Sequence, residues 1–104
     1  MRITITARHC ELTEAIRERA GIVVERLAAL SPHALDATVV FDETAQQKNV
    51  EIRLHARGRK MLVGIGDGPD HRTALDRAEE KLKPQLVRTA KVRQRSRRAP
   101  TRKT

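Results

Sequence analysis

The chain has 104 residues and a net charge of +9, from 22 Lys or Arg against 13 Asp or Glu. That length gives room for one domain and no more. The single cysteine, Cys10, precludes an internal disulfide, so a reducing cytoplasm is the expected setting; no stretch approaches the ~18 apolar residues of a membrane span, and Met1 to Thr6 lacks the apolar run of a signal peptide.

Residues 2–7 alternate, with Ile3, Ile5 and Ala7 on one side and Arg2, Thr4 and Thr6 on the other, which predicts a half-buried strand. Thr13 is placed to cap a helix, and Glu14 suits its first turn. Ile16, Ala20, Val23, Leu27 and Leu30 then recur at spacings of three and four, so one apolar stripe runs along a helix from about 13 to 30. Ser31-Pro32 stops it. Three strands follow. Ala37, Val39 and Phe41 alternate in the first; after a polar loop at 44–48, Val50, Ile52, Leu54 and Ala56 alternate with Glu51, Arg53, His55 and Arg57 in the second. Gly58 marks a tight turn, and the third strand carries Met61, Val63 and Ile65 opposite Leu62, Gly64 and Gly66. Clean alternation implies a sheet with one covered face and one wet face.

Asp70 can cap a second helix, whose buried stripe is Ala74, Leu75, Ala78, Leu82 and Leu86. Pro84 lacks the N–H that would bond to Glu80 and clashes with that carbonyl, so the helix is expected to kink or split there. From Arg93 onward apolar periodicity vanishes, which reads as a disordered basic tail over 93–104. The expected fold is α+β, in the order β-α-β-β-β-α. It has a four-stranded sheet with both helices on one face, and one domain over residues 1–92.

Charge is unevenly placed. Met1 to Glu80 holds 12 cations and 13 acids, whereas Lys81 to Thr104 holds 10 cations and no acid. A near-neutral body with a purely basic end is the pattern of a polyanion binder. Phe41 is the only Phe, Tyr or Trp, so stacking on bases is nearly unavailable and contact with nucleic acid should run through phosphates. The candidate phosphate ligands are Lys81, Lys83, Arg88, Lys91, Arg93, Arg95, Arg97 and Arg98. Arg53, Arg57, Arg59 and Lys60 cluster near Gly58, where edge charges that block aggregation are at least as good an account as RNA contact.

Catalytic and cofactor signatures are lacking. Gly64-Ile65-Gly66-Asp67-Gly68 precedes a helix but has no Gly-Lys-Ser/Thr, so glycines that end a strand and turn the chain explain it better than a phosphate loop. His9, His33, His55 and His71 have no ligand spacing, and Cys10 beside His9 reads as a small packed residue. No metal, cofactor or enzymatic activity is expected.

The segment Ile3 to Arg17 resembles the opening of the ribosome hibernation promoting factor family, which includes the ribosome-associated translation inhibitor. A short strand leads through a basic turn into Glu-x-Thr-x-Ala-apolar-Arg, here Glu11, Thr13, Ala15, Ile16 and Arg17. Ala74-Leu75-Asp76, Lys81-Leu82 and Gln85-Leu86 resemble that family's second helix. Two positions depart from it: Asp70-His71-Arg72 has no Tyr, and Pro84 stands where Arg is usual. The resemblance covers residues 1 to about 92. It implies a short form without the C-terminal dimerisation domain. Such a protein binds the small ribosomal subunit and its rRNA in the mRNA-tRNA channel and silences idle ribosomes, with no membrane and no small-molecule substrate. Arg8, in the turn, and Arg17 match the opening motif and join the candidate RNA contacts. Two other readings stay open: a general RNA- or DNA-binding protein that uses only its basic tail, and a protein-interaction module that uses the exposed sheet face.

Overall fold

The computed structural model describes residues 1–31, 34–56 and 60–102, with side chains of Lys60 and of residues 89–102 outside that description. The elements are β1 (Arg2–Ala7), α1 (Glu14–Ala29), β2 (Ala34–Glu43), β3 (Lys48–Ala56), β4 (Lys60–Gly68) and α2 (His71–Arg102). They form one four-stranded sheet in the order β1-β2-β3-β4. β1 runs parallel to β2, as a helical crossover requires, and β2, β3 and β4 form an antiparallel meander. The α+β order expected from the sequence is the one observed.

The covered face is built from the residues that alternate inward. Phe41, Val39, Ile52, Leu54 and Val50 on the sheet meet Val23, Val24 and Leu27 of α1 and Leu75, Leu82 and Leu86 of α2, all buried. The opposite face carries Thr38, Glu51, Arg53 and His55 in register with Met61, Val63 and Ile65. Arg53 pairs there with its neighbour Glu51, and His55 with Asp36, as a solvated face would have it. Arg57 and Arg59 lie outside the described residues. Among the described residues, no helix is long and apolar enough to cross a membrane.

Both helices begin at side-chain caps. Thr13 Oγ1 accepts the Ile16 N–H at 3.2 Å, and Asp70 Oδ1 accepts the Thr73 N–H at 2.7 Å. Of the two alternatives expected at Pro84, a kink or a split, the split is not observed: α2 runs through Pro84 as a single element. An interior proline costs about 3 kcal/mol, but Leu82 and Leu86 on either side are buried, each worth about 1.5–3 kcal/mol. Pro84 itself is exposed, so its ring meets solvent. The backbone also stays helical to Arg102, so residues 93–102 extend α2 where a disordered tail was expected. Arg, Gln and Ala are good helix formers, and propagation from an anchored helix adds residues without a new nucleation step.

Gly64 and Gly66 take the strand positions expected from the alternation, and they do not end the strand or turn the chain. Gly64 and Gly66 lie inside the strand, buried beneath α2. A Cβ on Gly66 would sit 2.2 Å from the Ala74 carbonyl oxygen and 2.4 Å from the Ala78 nitrogen; one on Gly64 would sit 2.4 Å from the Ala78 carbonyl oxygen. The helix backbone therefore rests directly on the strand backbone. Gln85 Nε2 donates to the Val63 carbonyl at 2.9 Å, and Arg77 Nη1 donates to the Asp67 carbonyl at 2.7 Å, so α2 side chains fasten to β4 as well.

Two substitutions test this packing. Gly66→Ala should lower stability by about 3 kcal/mol, because the obstructing atoms are helix backbone and cannot swing aside. Gly21→Ala, where a Cβ meets nothing within 4 Å, should raise it by about 1 kcal/mol. Urea unfolding of the two variants beside the wild type checks both signs.

Candidate nucleic-acid interface

The helical repeat sorts the cations of α2. Lys81 and Arg88 are seven residues apart and share a flank with Arg77, whose guanidinium lies over the β4 edge. Lys83, two positions and about 200° from Lys81, lies instead in the groove between the helices. There it lines a hollow of about 360 Å³ with Arg26, Leu27, Leu30, Glu79 and Glu80. Lys83 and Arg88 flank a second hollow of about 440 Å³ with Glu80, Pro84 and Val87. The row that the sequence presents as one surface is therefore divided.

The groove is not a free cationic surface. Arg26 grips Glu79 with two hydrogen bonds, of 3.1 and 3.0 Å, and Arg19 reaches Asp76 at 3.3 Å. These pairs join α1 to α2 and neutralise each other. The flank beside β4 differs: Lys81 and Arg88 are exposed and have no ion pair among the described residues. Lys91, Arg93, Arg95, Arg97 and Arg98 continue α2 as backbone, but their side chains lie outside the described residues.

Arg8 and Arg17 belong to a third region. Arg8 sits in the turn after β1, exposed, its N–H donating to the Phe41 carbonyl at 2.8 Å. Arg17 is about 200° around α1 from Arg19, so it faces away from α2, exposed and without an ion pair among the described residues. Arg72, at the start of α2, is also exposed and lines a hollow of about 240 Å³ with Ala15, Ile16, Glu18, Arg19 and Ile22. Arg72 and Arg77 are not among the candidates drawn from sequence. Arg77 is legible there, being four residues before Lys81 on the same helix; Arg72 needs the tertiary fold.

Around the turn, His9 Nδ1 meets Asp42 Oδ1 at 3.2 Å, and His71 Nε2 meets the Asp42 carbonyl at 3.2 Å. The Glu43 N–H, and then His9, hold the Asp42 carboxyl below its ordinary 3.8. The Thr73 N–H does the same for Asp70. Burial, then Glu43 and Asp42, push the Cys10 thiol up, and it leans on the Phe41 carbonyl at 3.7 Å. Cys10 is thus a neutral, packed thiol rather than a thiolate paired with His9. No group of three or more His, Cys, Asp or Glu among the described residues could hold a metal ion.

The geometry can hold phosphates along one helix flank and at one end of the sheet. A family model described as Sigma 54 modulation protein / S30EA ribosomal protein matches residues 3–94. The fold is similar to the Protein Y N-terminal domain of Thermus thermophilus, with 28% identity, a TM-score of 0.76, and coverage of 86% of this chain and 99% of that one. It is also similar to a ribosomal subunit interface protein from Coxiella burnetii, at 18% identity and a TM-score of 0.73, covering 86% of this chain and 98% of that one, a likeness of fold alone. None of the curated proteins compared with the chain matches it.

The lowered carboxyls set an acid limit to stability. A depressed folded-state value means that the Asp70 cap and the bonds that the Asp42 carboxylate accepts stabilise above the ordinary 3.8 and are lost as pH falls through the lower folded value. Asp70→Asn should therefore lower the melting temperature at neutral pH, and the gap from wild type should narrow steadily as the acid is titrated well below 3.8. Thermal melts across that range check the sign.

Proposed function

The chain belongs to the Sigma 54 modulation protein / S30EA ribosomal protein family, and from that membership we propose that it binds the small ribosomal subunit and blocks translation in idle ribosomes. It occupies the mRNA-tRNA channel and holds rRNA by its phosphates. The observation that carries this reading is the flank of α2 beside β4, where Lys81 and Arg88 stand exposed and without an ion pair among the described residues. Two charges seven residues apart on a helix lie about 10 Å apart along its axis, a span that a phosphate backbone can bridge. Residues 93–104, with six further cations and no acid, lengthen the same positive field. Arg8 and Arg17 provide further contacts from the other side of the fold. Residues 1–92 form the binding domain, the protein acts in the cytoplasm, and no catalytic step is involved.

A general nucleic-acid binder using residues 93–104 alone is the competing reading, favoured by the purity of that charge. Co-sedimentation with purified small subunits, in the presence of excess bulk RNA, separates the two. The expected result is about one copy retained per subunit, with tRNA and mRNA excluded. Stripping by bulk RNA would assign the binding to a generic polycation.

The division of the cations gives a sharper expectation. Lys81→Glu with Arg88→Glu should weaken binding at least roughly tenfold and flatten the slope of log affinity against log salt by roughly 0.7–0.9 for each phosphate no longer neutralised. Lys83→Glu, in the groove beside Glu79 and Glu80, should change both much less. Salt titrations of the three proteins measure the difference.

A further inference from the structure

His9 has φ of 59°, the only positive value outside glycine among the described residues. The left-handed region is uncommon for such a residue and persists where the surroundings hold it. Here the surroundings are two consecutive residues of β2. Asp42 Oδ1 takes His9 Nδ1 at 3.2 Å and the Glu43 N–H at 2.8 Å. The Phe41 carbonyl takes the Arg8 N–H at 2.8 Å and the Cys10 thiol at 3.7 Å. Phe41 is fully buried, so this attachment point is rigid. From the other side, His71 Nε2 meets the Asp42 carbonyl at 3.2 Å, and its ring stands edge-on to Phe41 at 5.5 Å.

The turn after β1 and the first residue of α2 are thus tied to one residue. Their sequence neighbours, Arg8 and Arg72, come to the same end of the sheet, both exposed and without an ion pair among the described residues. Three acids at this end are engaged, Asp42 with His9, Glu43 with Lys48 at 2.9 Å, and Asp70 with the Thr73 N–H, while Glu18 shares the hollow beside Arg72.

We infer that Asp42 is the positioning residue of a phosphodiester-binding patch made by Arg8, His9 and Arg72. Asp42 does not touch the ligand. It holds the His9 ring, next to an Arg8 backbone that the Phe41 carbonyl already ties to β2, and so keeps the turn in one conformation before binding, which removes part of the ordering cost that a flexible cationic loop would bear. This inference rests on the ribosome-binding reading.

The test is a double-mutant cycle on the full chain, with purified small subunits as the probe. Asp42→Ala and Arg8→Ala should each weaken binding about tenfold, and the double variant should be about as weak as Arg8→Ala alone, not a hundredfold weaker. Asp42→Asn keeps an acceptor for the Glu43 N–H and should recover most of the affinity. Hydrogen exchange should show the Arg8 amide exposed faster in Asp42→Ala, with the amides of the buried strands β2 and β3 protected as in the wild type. Additive losses, or an Asp42→Ala variant that binds like the wild type, overturn the role of Asp42 and leave the ribosome reading standing. A wild-type chain that fails to bind small subunits overturns both.

Discussion

The packing on which the rest depends is the seat of α2 on β4. Gly64 and Gly66 let helix backbone lie against strand backbone, with a residue as small as Ala74 or Ala78 at each crossing. That depth fixes the rotation of α2 about its axis. Leu75, Leu82 and Leu86 then point to the core, and Lys81 and Arg88 emerge beside the strand rather than over the groove. Had β4 carried side chains at those two places, the helix would ride higher and the fastenings from Gln85 and Arg77 to strand carbonyls would not reach. The candidate binding flank is therefore a by-product of packing, set by residues that carry no charge.

The periodic parts of the fold are legible in the sequence because they are governed by nearest neighbours. Strand alternation from Ile3, Val39, Ile52 and Val63, and the stripe through Ala20, Val23 and Leu27, need only periods of two and 3.6. Pro84 leaves a split open because its local cost is visible, whereas the burial of the leucines that flank it, which keeps α2 one element, is not. The β4 glycines resemble turn residues because nothing near them in sequence announces a helix above. Val24 falls outside the single stripe yet is buried, because α1 is covered over a wider arc than that stripe suggests.

The functional residues divide along the same line. A basic end is visible in composition, but whether its charges share a surface depends on which flank of α2 meets the sheet. Lys81 and Lys83 are neighbours in sequence and opposites in space. Asp42 and His9 show the converse, being 33 residues apart and in contact. No pattern in one chain foretells such a pair, because β1 and β2 are brought together by a parallel crossover. The resemblance of Glu11 to Arg17 to a known family supplies the ribosome, which charge alone does not.

The fastenings on β4 have a consequence for assembly. Strands recruit other strands through main-chain groups left open at a sheet's margins. On the β4 side, the Val63 and Asp67 carbonyls are already occupied by Gln85 and Arg77. Two outward carbonyls of β4 are therefore already committed among the described residues, whereas β1, at the other end of the sheet order, has no such helix fastenings along it. The two margins are unequal valences, and a visiting strand would meet more open main chain at β1 than at β4.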